Sequence, residues 1–242
     1  MVVLLMFAVL LMLLAINVPI AIALAVTTII AMVSANGTSF LIDAAIVMFD
    51  GSMNFPLIAI PLFILAGAIM NTSGISRRLI NFASALVGFV RGGLSMVNIA
   101  TSMFFAEISG SAVADVAALG SILIPAMKKK GYTGAFAAAV TSSSASLAVI
   151  IPPSIPMILY AVMAQTSVVQ LFVAGIIPGI IGGFGLMFVS YIYAIRKKLP
   201  IEETFNLSNL KRTGKEASLA FVLPLIILGG IFGGFVTATE GA

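Results

Sequence analysis

The sequence contains no cysteine, no histidine and no tryptophan among its 242 residues. The first absence excludes a disulfide framework and a thiol nucleophile. The second removes the imidazole base, and together they remove Cys and His metal-ligand sets. Charge is nearly as scarce: 8% of residues are charged against 61% in the hydrophobic set, and the mean hydropathy is +1.23. A soluble domain carries about a quarter charged residues, so this chain cannot clothe a water-facing surface and its medium is membrane lipid. The net charge of +4 is not a nucleic-acid signal. Its basic residues gather in short clusters between apolar stretches, which is a topology pattern.

What is there is an all-α, polytopic pattern. Crossing a hydrocarbon core takes about 20 apolar residues at about 1.5 Å each. Six apolar blocks qualify for consideration: Val2 to Ser34, Phe55 to Met70, Leu94 to Met127, Ala135 to Ala164, Val168 to Ile195 and Ala217 to the end. The first lacks a basic flank and a cleavage site before a polar chain, so it does not read as a signal peptide. The long blocks are interrupted at Asn17-Val18-Pro19, at Ser109-Gly110-Ser111 and at Pro152-Pro153-Ser154-Ile155-Pro156.

The basic clusters are Arg77, Arg78 and Arg91, then Lys128 to Lys130, Arg196 to Lys198, and Lys211, Arg212 and Lys215. The positive-inside rule places all of them in the cytoplasm. If Arg91 and Lys128 share a side, the block between them enters and returns. Its legs, Leu94 to Ile108 and Ala112 to Met127, are each about 15 residues, short for full crossings. A re-entrant helical hairpin tipped at Ser109-Gly110-Ser111 satisfies both constraints. By the same parity, Lys130 to Arg196 holds a broken membrane helix and an unbroken one. Ser39 to Asn54 and Ile75 to Val90 read as amphipathic braces along the interface, the first equally as a polar connection. Pro200 to Ser218 reads as a cytoplasmic linker. Asn17 to Pro19 is either a turn between two helices or a kink in one. The apolar run Phe221 to Phe235 echoes Val2 to Ile16, and the chain reads as part of a longer protein with a second, inverted half.

Non-helical backbone at membrane depth occurs where it is buried in protein or lines a wet cavity. The Ser-Gly-Ser tip offers hydroxyls, a flexible Gly110 and the free N–H groups of a helix start, which suit an anion. At the second break Pro152 returns no N–H to the Ala148 carbonyl, and Pro153 none to Val149. Released carbonyl oxygens suit a hard cation such as Na+. Ser154 caps the short helix from Ile155 to Met163. The pair of breaks is thus suited to holding an anionic solute beside a cation.

Two carboxylates flank the tip. Asp115 reads as a dipole partner at a helix start, and Glu107 as a cation ligand, a protonatable group or a residue at the cytoplasmic hairpin mouth, the last preferred. The hydroxyl run Thr141 to Ser146 reads as a close-packing surface, some of it also as lining for the solute path, and the glycines 175, 179, 182, 183 and 185 read as close packing. An intramembrane hydrolase would need a base or dyad that is missing here.

SGSAVAD at Ser109 to Asp115, GSILIPAM from Gly120 and IIPPSIPMILY from Ile150 resemble the large membrane (M-type) subunit of the tripartite ATP-independent periplasmic (TRAP) transporters. FPLIAIPLFILAGAIMNTSGISRRL from Phe55 and LFVAGIIPGI from Leu171 extend the likeness over essentially the whole chain. The resemblance implies an inverted-repeat, elevator-type secondary transporter of the bacterial inner membrane, not an enzyme. It implies import of an organic acid, a C4-dicarboxylate or a sialic or related sugar acid, by Na+ symport. The partners implied are a periplasmic substrate-binding protein and a small four-helix membrane subunit. Residues 1–92 would be scaffold and arm helices, and 93–198 half of the transport domain, with the hairpin at 93–127, the broken helix at 134–165 and a helix at 167–196. Residues 199–217 would be the linker and 218–242 the start of the second repeat. Carried over, backbone oxygens of Ala106, Ser109, Ala148, Ile151 and Pro153 would hold one Na+. Solute would lie against Ser109, Gly110, Ser111, Pro153 and Ser154. Ala238 departs from a common family Pro, and Glu107 from a usual small residue. The runner-up is a proton-coupled transporter or ion exchanger using Glu107 and Asp115.

Overall fold

Apolar runs punctuated by Gly, Pro and hydroxyl caps give helices, and in the computed structural model every regular element among the described residues is a helix. The structure describes residues 2–37, 40–199, 201 and 204–241. Positions 1, 38, 39, 200, 202, 203 and 242, which fall in the expected scaffold, linker and second-repeat segments, lie outside the described residues. Two compact units emerge, Met1–Asn54 and Phe55–Ala242.

In the first unit, α1 (Val2–Ala15) packs on α2 (Ile20–Asn36), which packs on α3 (Phe40–Ser52). Asn17 takes φ 67° and Pro19 sits extended before α2, so this interruption is a turn and not a kinked rod. No residue of α1 is buried, and its surface is Val, Leu, Met, Ala and Phe, as lipid contact requires.

The second unit holds α4 (Ala59–Thr72), α5 (Ile75–Val87), α6 (Gly93–Ser109), α7 (Ala112–Lys129), α8 (Gly134–Ala145), a 3-10 turn at Ser146–Val149, α9 (Ile155–Met163), α10 (Val168–Arg196) and α11 (Leu207–Phe232). Ser111, Thr133, Ser154, Ser167 and Asn206 each cap a helix start by accepting a backbone N–H. Among the described residues, α10 and α11 are long and apolar enough to cross a membrane.

Only Gly110 and Ser111 separate α6 from α7, and the far ends of these two helices also meet. Leu94 and Val97 line one hollow with Lys129 and Lys130, and Leu94 packs in one cluster with Met127. Gly92 abuts Ala194 near the end of α10, and Ser190 donates to Ser95 at 2.7 Å. Arg91, Lys128 to Lys130 and Arg196 to Lys198 therefore gather at one end of this unit. The start of α11 joins them through Phe205 against Phe89, ring centres 5.2 Å apart. Arg77 and Arg78 do not, because they sit at the opposite end of α5 from Arg91.

The apolar face of α5 is covered by neighbouring helices: its buried Leu79 and Ala83 pack against Phe105 and against Val97 and Ala100 of α6. Phe82 of α5 meets Phe104 and Phe221, each at 5.8 Å, so protein rather than headgroups covers its apolar face. The expected linker is shorter, since α11 begins at Leu207. Asn206 Oδ1 accepts from the N–H groups of Ser208 and Asn209, and Thr213 and Ala217 are buried.

α10 has 29 residues, about 43 Å of helix. Two of its glycines face the second break and a third faces α6: an added Cβ would lie 2.2 Å from the Ile150 carbonyl oxygen at Gly175, 2.5 Å from Ile151 Cγ1 at Gly179 and 2.3 Å from Met103 Sδ at Gly183. Backbone at Ile150 cannot move aside as a flexible side chain would. Gly175→Val is therefore expected to destabilise the fold by about 1–3 kcal/mol or more through overpacking. Thermal melting of purified protein in detergent reads the loss. Gly185→Ala, with nothing within 4 Å of the new carbon, should melt like the parent.

Candidate functional site

The tip is built by Ser109, the last residue of α6, Gly110 in the left-handed region at φ 57°, and the extended cap Ser111. The second break begins with the 3-10 turn at Ser146–Val149 and runs to Ser154, with a cis peptide bond between Pro152 and Pro153. The two breaks touch. The Ile155 N–H donates to the Gly110 carbonyl at 3.2 Å, and a Cβ on Gly110 would come within 2.7 Å of the Pro153 carbonyl oxygen.

The carbonyls can be followed one by one. Ile150 and Ile151 both return their N–H groups to Leu147, at 2.9 and 2.8 Å. Among the described residues no donor reaches the Ala148 carbonyl. The Val149 carbonyl, also expected to be free, accepts the Ser154 hydroxyl at 2.7 Å, which corrects that expectation. Ala106 accepts the Gly110 N–H at 3.3 Å and keeps a second lone pair. Ala106, Ala148 and Ile151 share one buried cluster, adjoining Ser109 and Pro153 across Gly110. The five residues named for a cation thus lie together. No group of three or more His, Cys, Asp or Glu side chains is placed to hold a metal ion among the described residues.

Asp115 lies in the first turn of α7, as a dipole partner should, but it does more. It is fully buried, its Oδ1 accepts the Ser109 hydroxyl, and its Oδ2 has no hydrogen-bond partner among the described residues. Ser109 Oγ in turn accepts the Ser111 N–H at 3.2 Å. The tip is therefore stitched across its own turn, a link the sequence reading missed although an acid in the first turn after SGS was in view. Glu107 occupies the last turn of α6, half-buried at the tip end, and not at the hairpin mouth with Arg91 and Lys128. Ser154 is fully buried; its hydroxyl also accepts the Met157 N–H at 3.4 Å, so it serves as a cap with both bonding roles taken.

A cavity of about 680 Å³ opens beside the tip. Ser109 and Ser111 line it, with Gly67 and Ala68 of α4, Ser76 of α5 and Ser121 of α7. Gly67 lets α4 approach closely, since a Cβ there would stand 3.3 Å from Ser109 Cα. Ser154 is not among the residues lining this cavity. The α4 and α5 contributions escaped the sequence reading because the small residues in FILAGAIM look like ordinary packing.

A family model described as the DctM component of the tripartite ATP-independent periplasmic transporters matches residues 7–242. The chain belongs to that family. It is 46% identical over 198 residues to a C4-dicarboxylate TRAP transporter large permease of Pseudomonas aeruginosa, covering 82% of this chain and 46% of the relative. It is 43% identical over 231 residues to an isethionate TRAP transporter permease of Oleidesulfovibrio alaskensis, covering 95% and 36%. It is 40% identical over 199 residues to a sialic acid TRAP transporter large permease of Vibrio cholerae, covering 82% and 47%. The chain thus spans half or less of the length of these TRAP permeases. Their names are those of transporter subunits and not of enzymes, and the apolar helices of this chain accord with a membrane permease.

Proposed function

We propose that this chain supplies the tip-and-break half of a Na+-driven importer of an organic acid. The observation that carries the reading is the Ile155 to Gly110 hydrogen bond, which joins the tip to the second break and keeps the Pro153 carbonyl beside Gly110. The cation would rest on backbone oxygens of Ala106, Ser109, Ala148, Ile151 and Pro153. Solute would enter the adjoining cavity against Ser109, Gly110 and Ser111, near enough for its negative charge to favour the ion and the ion to favour it. The substrates named for the relatives share an ionised acid group, which suits the hydroxyl and N–H donors at the tip. In this reading the hairpin re-enters and moves with the broken helix in an elevator step. A periplasmic binding protein delivers the solute, and a small four-helix subunit braces the assembly in the bacterial inner membrane. The proton-coupled alternative draws on Asp115, whose Oδ2 is buried without a hydrogen-bond partner among the described residues.

Reconstitution of the complete transporter with its binding protein, tested on a panel of organic acids, decides between them. Uptake should require an inward Na+ gradient; accumulation driven by a pH gradient without Na+ would reject this reading for the alternative. A finer check is Pro152→Ala. The new N–H can return to the Ala148 carbonyl, removing a free oxygen, so the half-saturating Na+ concentration should rise roughly tenfold. An unchanged Na+ dependence would remove Ala148 from the site.

A further inference from the structure

Four polar side chains of α6, Ser95, Asn98, Thr101 and Ser102, are completely buried. Such groups are costly inside a membrane protein unless paired, and three of them are paired across helices. Asn98 Nδ2 donates to Thr141 Oγ1 at 2.7 Å, and Ser102 and Ser144 share a 2.8 Å hydroxyl bond. Ser95 accepts from Ser190 of α10 at 2.7 Å. The partners on α6 and α8 differ by 43 and 42 positions, so the two helices run parallel and in fixed register. One turn further along the same seam come Ala106 and Ala148, in one buried cluster. The hydroxyl run on α8 divides accordingly. Thr141 and Ser144 face the seam, whereas Ser142, Ser143 and Ser146 are exposed and donate back to carbonyls of their own helix.

We infer that the Asn98–Thr141 and Ser102–Ser144 pairs are positioning residues that set the register of α6 against α8 and so fix how far apart the Ala106 and Ala148 carbonyls stand. Apolar packing of small residues alone tolerates sliding, because one Ala-sized contact resembles the next. A hydrogen bond each turn does not, since a slip of one turn, about 5.4 Å, breaks both pairs at once. None of Asn98, Ser102, Thr141 and Ser144 lines the cavity beside the tip. The inference rests on the proposed Na+ symport and adds to it the device that holds the cation's oxygens in place.

The test uses the complete reconstituted transporter with its binding protein and varies Na+ at saturating solute. Ser102→Ala, Ser144→Ala and Thr141→Val should each raise the half-saturating Na+ concentration roughly five- to tenfold, with the rate at saturating Na+ little changed. Thr141→Ser, which keeps the hydroxyl, should restore the parent value. Ser142→Ala, on the exposed face of α8, should leave it unaltered. Ser102→Ala with Ser144→Ala should cost no more than either alone, because both remove the same bond. Seam variants that lower only the amount of folded transporter or the maximal rate, with half-saturating Na+ unmoved, overturn the positioning role and leave symport standing. Parent uptake indifferent to Na+ overturns both.

Discussion

Replacing Gly110 with alanine is expected to abolish Na+-driven uptake in protein that still inserts and purifies. Two separate costs meet at this carbon. Its φ of 57° lies in the left-handed region, where an L side chain costs about 1–2 kcal/mol. Its Cβ would also stand 2.7 Å from the Pro153 carbonyl oxygen, inside contact distance and against backbone that cannot rotate away. To relieve that contact the tip must back off from the break, stretching the Ile155 to Gly110 hydrogen bond and separating the carbonyls meant to share an ion. Gly74→Ala isolates the first cost: Gly74 has φ 76° and nothing within 4 Å of a new carbon, so transport should persist there. Uptake by reconstituted Gly110→Ala at the parent's rate would mean that tip and break need not touch, and the proposed pocket would fall with that contact.

The helix breaks at Ser109 to Ser111 and at Pro152 to Ser154 were legible because each interrupts an apolar run with residues that end helices. A Ser-Gly-Ser or a Pro-Pro-Ser inside an apolar run leaves backbone without partners, and lipid offers none. The cap at Ser154 followed from local chemistry for the same reason. What the sequence could not separate was the neighbour of an amphipathic face. The stripe of α5 that holds Leu79 and Ala83 has the same spacing whether headgroups or α6 cover it, and only tertiary contact decides. Pro200 to Ser218 looked like a water-exposed linker because Lys211, Arg212 and Lys215 dominate it, yet Thr213 and Ala217 on the other face are buried as the first turns of α11. The α6 and α8 seam was hidden for a third reason. Asn98 and Thr141 are 43 positions apart, and no periodicity links them. Glu107 shows that parity arguments locate ends and not depths: it lies at the tip because α6 runs as helix all the way to Ser109.

Asp115→Ala is the other substitution expected to silence transport, through the tip and not through the ion. The carboxylate is fully buried, and it holds the Ser109 hydroxyl across the turn. Without it that hydroxyl keeps only a long 3.5 Å contact to the Ser111 carbonyl, a loss of up to about 1–3 kcal/mol, and one relief is for Ser109 to turn toward the cavity it lines. That rotation also breaks the bond from the Ser111 N–H, so the cradle for solute loses its shape. Asp115→Asn separates geometry from charge. An amide oxygen accepts the same hydroxyl bond, so Asp115→Asn should retain a measurable fraction of uptake where alanine retains none. Ser109→Ala removes the other partner, and the double Ser109→Ala, Asp115→Ala variant should be no more impaired than Asp115→Ala alone, since the two act as one unit. Equal loss in Asn and Ala variants, with Ser109→Ala active, would show that the negative charge itself is required. That result would shift the role of Asp115 from holding the tip to balancing the cation.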